Sequence, residues 1–169
     1  MRRTYILCFL LLQIGVIQAQ KYEFTSAKIT FEFPSKGVKG SIEGFESQSQ
    51  VDLEVPSNSI FKGSVEVASL DTNNGLRNWS LRSSRYFNAK EHPKLFYSSN
   101  EVRKIGANWL VDGDLTIKGN TNPVQITFEE VKGKFVGSAR LYASDFGIKI
   151  KKNREDNLVN IVFELELVR

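Results

Sequence analysis

Apolar and polar side chains alternate one by one along most of this chain, and no other feature restricts its fold so tightly. The clearest run lies near the C-terminus, where Val159, Ile161, Phe163, Leu165 and Leu167 share one face of a strand and Asn160, Glu164 and Glu166 the other. A period of two is that of a strand with one buried face, so each such run needs partners on its edges and a core beneath it. The same pattern sets Ile29, Phe31 and Phe33 against Lys28, Thr30 and Glu32, and Val65 and Val67 against Ser64 and Glu66. It returns at Leu95, Tyr97 and Ser99, at Val124, Ile126 and Phe128, and at Phe135, Ala139 and Leu141. Between Gly40 and Pro56, Ile42, Phe45, Val51, Leu53 and Val55 are scattered through polar sequence, which predicts one long bent strand or two.

Turn residues punctuate these runs: Gly37 to Gly40, Pro56-Ser57-Asn58, Lys104 to Ala107, and Lys132-Gly133-Lys134. Asp112-Gly113 by itself would suit a hairpin. The odd-numbered set Trp109, Val111, Gly113, Leu115 and Ile117 passes through it without changing phase, however, which favours one strand with a glycine kink. Only Thr72 to Ser84 breaks the pattern. There Leu76 and Trp79, and Arg77 and Leu81, fall at helical spacings, predicting a short helix that crosses between strands. About eight strands, short connections and one helix imply an all-β, eight-stranded antiparallel barrel rather than a parallel sheet with crossover helices.

The first nineteen residues stand apart. Arg2 and Arg3, an apolar run from Tyr5 to Ile17, and the small residue Ala19 have the form of a secretory signal peptide cleaved after Ala19. The run is short for a membrane span. The remainder, 20–169, suits one domain, and the expected location is periplasmic or secreted. Losing Arg2 and Arg3 lowers the formal charge from +4 to +2, which offers nucleic acid little general attraction. Cys8 is the only cysteine and lies in the leader, in a setting unsuited to lipidation, so the exported domain has neither disulfide nor thiol chemistry.

Groups for catalysis are sparse. His92 is the single histidine, sits beside Pro93 and has no cysteine or spaced carboxylates around it, so it reads as a turn residue rather than as a metal ligand or general base. Asp112 and Asp114 share an outward strand face, where charge is the ordinary state. The expectation is a non-enzymatic protein with no metal and no cofactor.

Five blocks, taken in order, carry a resemblance. They are Gly40 to Phe45, Leu76 to Ser83 running into Tyr86-Phe87, Pro93 to Ser99, Val111 to Gly119, and Asp145 to Ile148. In sequence and spacing they resemble the YceI family, across nearly the whole of 20–169. The resemblance implies a lipocalin-like barrel, exported in bacteria, that holds a long isoprenoid or other amphiphilic lipid. The chain also departs from the family: Asn78 and Ser80 stand where an acid and a histidine are common, and Arg85 occupies a further acidic position.

On that reading the tunnel is lined by Val65, Val67, Leu95, Tyr97, Trp109, Val111, Leu115, Ile117, Ile126, Phe128, Leu141, Ile161, Phe163 and Leu165, with Phe146 from the last block. Trp79, Leu81 and Phe87 would cap one end. Arg77, Arg82 and Arg85 fall in a stretch rich in cations and are candidates for a phosphate or carboxylate head group, Arg77 first because its position matches the family block. Monomer and homodimer both remain open. Two other readings compete. One is a barrel with a filled interior that binds a protein partner or acts in a stress response. The other is an integral outer-membrane barrel, which is disfavoured by charged outward residues such as Glu164, Glu166, Asp112 and Lys118.

Overall fold

Thirteen consecutive residues, Lys21–Phe33, form the first strand (β1), longer than its clean alternation suggests. In the computed structural model, which describes residues 20–169, a bulge at Thr25 interrupts the pairing of this strand. One extra residue flips side-chain phase, so Tyr22 and Phe24 point inward before the bulge and Ala27, Ile29, Phe31 and Phe33 after it. The expected leader, 1–19, lies outside the described residues.

The other strands are β2 (Val38–Ile42), β3 (Glu46–Ser47), β4 (Val51–Asp52), β5 (Lys62–Glu66), β6 (Lys94–Ile105), β7 (Asn108–Ile117), β8 (Asn120–Val131), β9 (Lys134–Tyr142) and β10 (Leu158–Val168). The α-helix α1 (Gly75–Arg82) lies between β5 and β6. Pairing is antiparallel throughout, in the order β2-β1-β10-β9-β8-β7-β6-β5-β3. The two ends of that path are neighbours in the chain. The bent segment 38–52 pairs with β1 through β2 and β4 and with β5 through β3, which curls the sheet back on itself. Further backbone bonds from Gln48 N to the Lys62 carbonyl (2.8 Å) and from Glu66 N to the Glu43 carbonyl (2.9 Å) fasten the same seam. Counting β2, β3 and β4 as one bent strand gives eight positions round the barrel; counted separately, the strands among the described residues are ten.

The segment Asn108–Ile117 is a single strand, with Trp109, Val111, Gly113 and Ile117 buried and Leu115 half-buried. Gly113 serves the packing of a neighbour. A side chain there would meet the Tyr97 hydroxyl at 2.6 Å and the Ser98 carbonyl at 2.5 Å. The irregularity falls instead on β6, where Asn100 bulges between Ser99 and Glu101. The outer face of the barrel is held by exposed ion pairs such as Lys28–Glu164 and Lys134–Glu166. Among the described residues no helix is long and apolar enough to cross a membrane.

The two ends of the barrel differ. At the end bearing the turns 106–107 and 132–133, Phe24, Phe61, Trp109, Phe128 and Phe135 meet ring to ring, with centroids 5.1 Å apart for Trp109 and Phe135 and 5.6 Å for Phe61 and Phe128. Offset and edge-on arrangements are the ones aromatic rings prefer, and these buried rings form a floor across the barrel. At the other end lie α1, the tight turn at Pro34–Lys36 and the long connection 143–157. A second apolar cluster of Ile29, Ile42, Val67 and Leu70 supports the seam beneath α1.

Candidate functional site

Above the aromatic floor the barrel encloses a cavity of about 590 Å³, within the range usual for small-molecule sites. Its walls come from alternate residues of nearly every strand. Val65, Leu95, Tyr97, Leu115, Ile117, Ile126, Phe128, Leu141, Ile161, Phe163 and Leu165 line it, as the alternation predicts, together with Leu81 and Phe87 from the helical region.

Five expected lining residues stand elsewhere. Trp109 and Val111 are fully buried on the floor side of the core, where packed neighbours separate them from the cavity. Val67 is buried in the second cluster, because the chain leaves the sheet after Glu66 and turns through Val67–Ser69. Phe146 is buried in a 3-10 turn, where it packs into the core. Trp79 is 74% exposed: of the helix α1, Arg77, Ser80 and Leu81 face the cavity and Trp79 turns away from it. The reading missed Phe24, Phe31, Phe61, Val124 and Ala139, and also Ile148 and Ile150 from the long connection, all of which line the cavity. The β-strand period itself places Phe31, Val124 and Ala139 on inward faces; only their share in the lining goes unforeseen. Ile148 and Ile150 lie in a loop with no period to betray them.

That loop is organised by Asn157, which is fully buried. Its Oδ1 accepts from the backbone N–H groups of Ile150 and Lys151, both at 2.9 Å, and its Nδ2 donates to the carbonyls of Lys151 (3.0 Å) and Asn153 (2.7 Å). The buried amide is thus satisfied at both its oxygen and its nitrogen, and it ties the loop to itself at three residues. On the opposite wall the Tyr97 hydroxyl donates toward the carbonyls of Val111 (2.9 Å) and Val124 (3.2 Å). Burial, with the charges of Asp112 and Asp114 adding to it, pushes this phenol far above its ordinary value, so it stays neutral.

The polar residues of α1 anchor the helix. Asn74 caps it by accepting from Arg77 N at 2.9 Å. Thr72 is buried and acts as a hub: its hydroxyl donates to Asn78 Oδ1 at 2.6 Å and accepts from Arg77 Nε at 2.8 Å, and its carbonyl accepts from Arg77 Nη2 at 2.8 Å. Asn78 Nδ2 donates in turn to Asp71 Oδ1 at 2.8 Å. Asn78 therefore ties the helix to the seam. Ser80, the other departure, faces the cavity.

Of the three candidate head-group cations only Arg77 reaches the cavity wall, where Lys36 joins it. Thr72 engages two of its five N–H donors. Arg82 is exposed and donates to the Leu70 carbonyl at 3.1 Å, while Arg85 is exposed and lies over the Tyr86 ring at 5.5 Å. Both are spent outside the cavity. Asp112 pairs with Arg103 and accepts from Gln125 at 2.7 Å, and Asp114 accepts from Asn100 at 2.9 Å. The two carboxylates thus serve the outer face of the sheet. His92 lies in the turn before β6, against Gly119.

A curled antiparallel barrel with a closed aromatic floor, an apolar interior and one polar end defines a class, the single-cavity binding barrel. Within that class the chain belongs to the YceI family: the sequence profile of the YceI-like domain matches residues 18–167. A UPF0312 protein of Photorhabdus laumondii is 31% identical over 140 residues, covering 77% of this chain and 73% of its own. Among solved structures, Burkholderia cenocepacia BcnA superposes with a TM-score of 0.70 at 21% identity, over 85% of this chain and 96% of its own. A polyisoprenoid binding domain from Saccharophagus degradans, implicated in plant cell wall breakdown, superposes with a TM-score of 0.58 at 11% identity, over 86% of this chain and 97% of its own. At these identities the two structures speak to the fold alone.

Proposed function

We propose that this protein is a non-enzymatic carrier, store or scavenger of a long isoprenoid or other amphiphilic lipid, working after export in the periplasm or outside the cell. The observation that carries this reading is the cavity of about 590 Å³, apolar on its walls, shut by aromatic rings at one end and polar at the other. A chain entering it gains roughly 0.8 kcal/mol for each methylene removed from water, with no specific contact needed along the tail. The head group comes to rest beside Arg77 and Lys36, where an anionic oxygen meets the guanidinium N–H groups that Thr72 leaves free. A barrel with a filled interior would leave no such space. The membership of a family with a polyisoprenoid binding domain among its fold neighbours supports the same ligand class.

Native mass spectrometry of protein purified from its own envelope without detergent, followed by lipid extraction, tests the proposal. The expected result is one bound amphiphile per chain, displaced in Ala139→Phe. Ala139 lines the cavity and is small, so the added ring fills lipid space. A wild-type protein that is empty, and that takes up no lipid on reconstitution, overturns the reading.

A further inference from the structure

The open end of the barrel carries a second feature that lipid storage does not need. Leu76 and Trp79, one helical turn apart on α1, are 84% and 74% exposed, the most exposed large apolar side chains among the described residues. Water is a poor place for an indole and an isobutyl group held side by side on a tethered helix. The helix is not loosely attached, since Thr72, Asn78 and Asp71 bind its other side. The exposed pair is therefore presented rigidly.

Charge is distributed unevenly about the same end. The connections there, 34–37, 67–93, 118–119 and 143–157, hold ten Lys or Arg against five Asp or Glu. The turns at the closed end, 53–61, 106–107 and 132–133, hold only Lys132 and Glu54. Of the acids at the open end, Asp145 and Glu155 are paired with one cation, Arg154, while Asp71 is bonded to Asn78. Lys36, Lys90, Lys149 and Lys152 form no ion pair among the described residues. An aromatic and an aliphatic side chain projecting from a cationic rim suit an interface of anionic head groups above hydrocarbon.

We infer that the open end docks on an anionic lipid bilayer, with Leu76 and Trp79 entering the head-group boundary and the surrounding lysines meeting lipid phosphates. This deepens and rests on the proposed function, because it names the surface from which the cavity is loaded or into which it is emptied. Apart from Lys36, which stands at the rim of both, the docking face and the cavity are built from different residues, so the two can fail separately.

Trp79 is also the reporter. Of the two tryptophans Trp109 is fully buried and Trp79 exposed. With vesicles of phosphatidylcholine containing about 30% phosphatidylglycerol, Trp79 emission shifts to the blue and is shielded from iodide, and the protein floats with the vesicles. Pure phosphatidylcholine vesicles give neither effect, and about 0.5 M salt weakens both. The Leu76→Ser/Trp79→Ser protein loses flotation at least ten-fold while keeping its co-purified lipid. Lys149→Glu/Lys152→Glu loses flotation without touching the apolar pair. Wild-type protein that ignores anionic vesicles, or a double serine variant that floats as well as wild type, overturns the inference. So does a concentration-dependent dimer in vesicle-free buffer that the double serine variant disperses, which assigns the face to a second copy. Flotation by a protein whose cavity holds no lipid leaves docking standing and removes the carrier reading instead.

Discussion

Gly137 owes its place to a ring on the next strand. It sits directly opposite Phe128, and a Cβ added there would lie 2.3 Å from the ring and 2.6 Å from the Thr127 carbonyl. Neither the ring, which belongs to the floor, nor the backbone can give way cheaply. Gly137→Ala is expected to cost about 1–3 kcal/mol, read as a lowered urea midpoint at unchanged slope. Gly75 supplies the opposite case. It opens α1 with nothing within 4 Å of the position its Cβ would take, so Gly75→Ala is expected to raise stability by about 0.4–1 kcal/mol through the unfolded chain. In the sequence the two glycines look alike. A glycine shows that something approaches closely or turns sharply, but the partner comes from another strand. The same limit hid Asn78 and Asn157: an asparagine reads as surface or turn until the backbone groups that it satisfies are brought round it. The inward apolar residues were far more legible, because alternation alone decides which side of a sheet they face.

Elements were legible wherever the period held and were misjudged where one extra residue reset it. Only the part of β1 after the bulge at Thr25 alternates cleanly, and Tyr22 and Phe24 escaped notice because they keep the other phase. The helix was found by its spacing, and Arg77 and Leu81 face the cavity as expected, but Trp79, expected to cap it, turns outward. Leu76, Trp79 and Leu81 are its large apolar residues, and burying all three is the natural expectation; the bonds from Thr72 to Arg77 and Asn78 instead hold the side with Arg77 and Leu81 against the barrel and leave Leu76 and Trp79 outside. The bond from Asn78 to the Asp71 carboxylate makes the anchoring of the helix sensitive to acid. The amide of Asn78, helped by the backbone of Asn73, holds the Asp71 carboxyl below its ordinary 3.8. Arg103 and then Gln125 do the same for Asp112, and Lys134 lowers Glu166 from 4.5. A carboxyl lowered in the folded state leaves the unfolded chain to bind protons first as the pH drops. Its stabilisation is complete above the ordinary value and is lost as pH falls through the lowered one. Thermal melts should therefore hold a steady midpoint from about pH 8 to about pH 5 and lose it below about pH 4. Asp71→Asn should lower the midpoint at neutral pH and make the acid fall shallower. A midpoint that drops already between pH 7 and 5 would point to other groups.

At the scale of the whole molecule, the barrel divides its aromatic residues between two tasks, and the division can be measured. Phe135 has no exposed surface and meets the rings of Phe24, Phe61, Trp109 and Phe128. Phe163, on the neighbouring strand β10 two residues before Leu165, the partner of Phe135, touches Phe128 with ring centroids 5.8 Å apart and otherwise faces the cavity. Removing a ring from close-packed surroundings loses its transfer free energy and leaves a void that the neighbours cannot fill, so Phe135→Ala is expected to cost about 3–5 kcal/mol. Removing Phe163 only widens a space that already exists. The void contribution largely vanishes, and Phe163→Ala should cost less than half as much in lipid-free protein, as urea midpoints would report. A bound lipid stabilises the folded state in proportion to the logarithm of its concentration over its dissociation constant. Adding lipid should therefore raise the wild-type midpoint and that of Phe135→Ala by similar amounts, and raise that of Phe163→Ala less, because its widened wall grips the chain more weakly. Equal losses at the two positions in lipid-free protein would mean that the interior closes on itself in solution and packs as one core, and a barrel of that kind has no room for the proposed cargo.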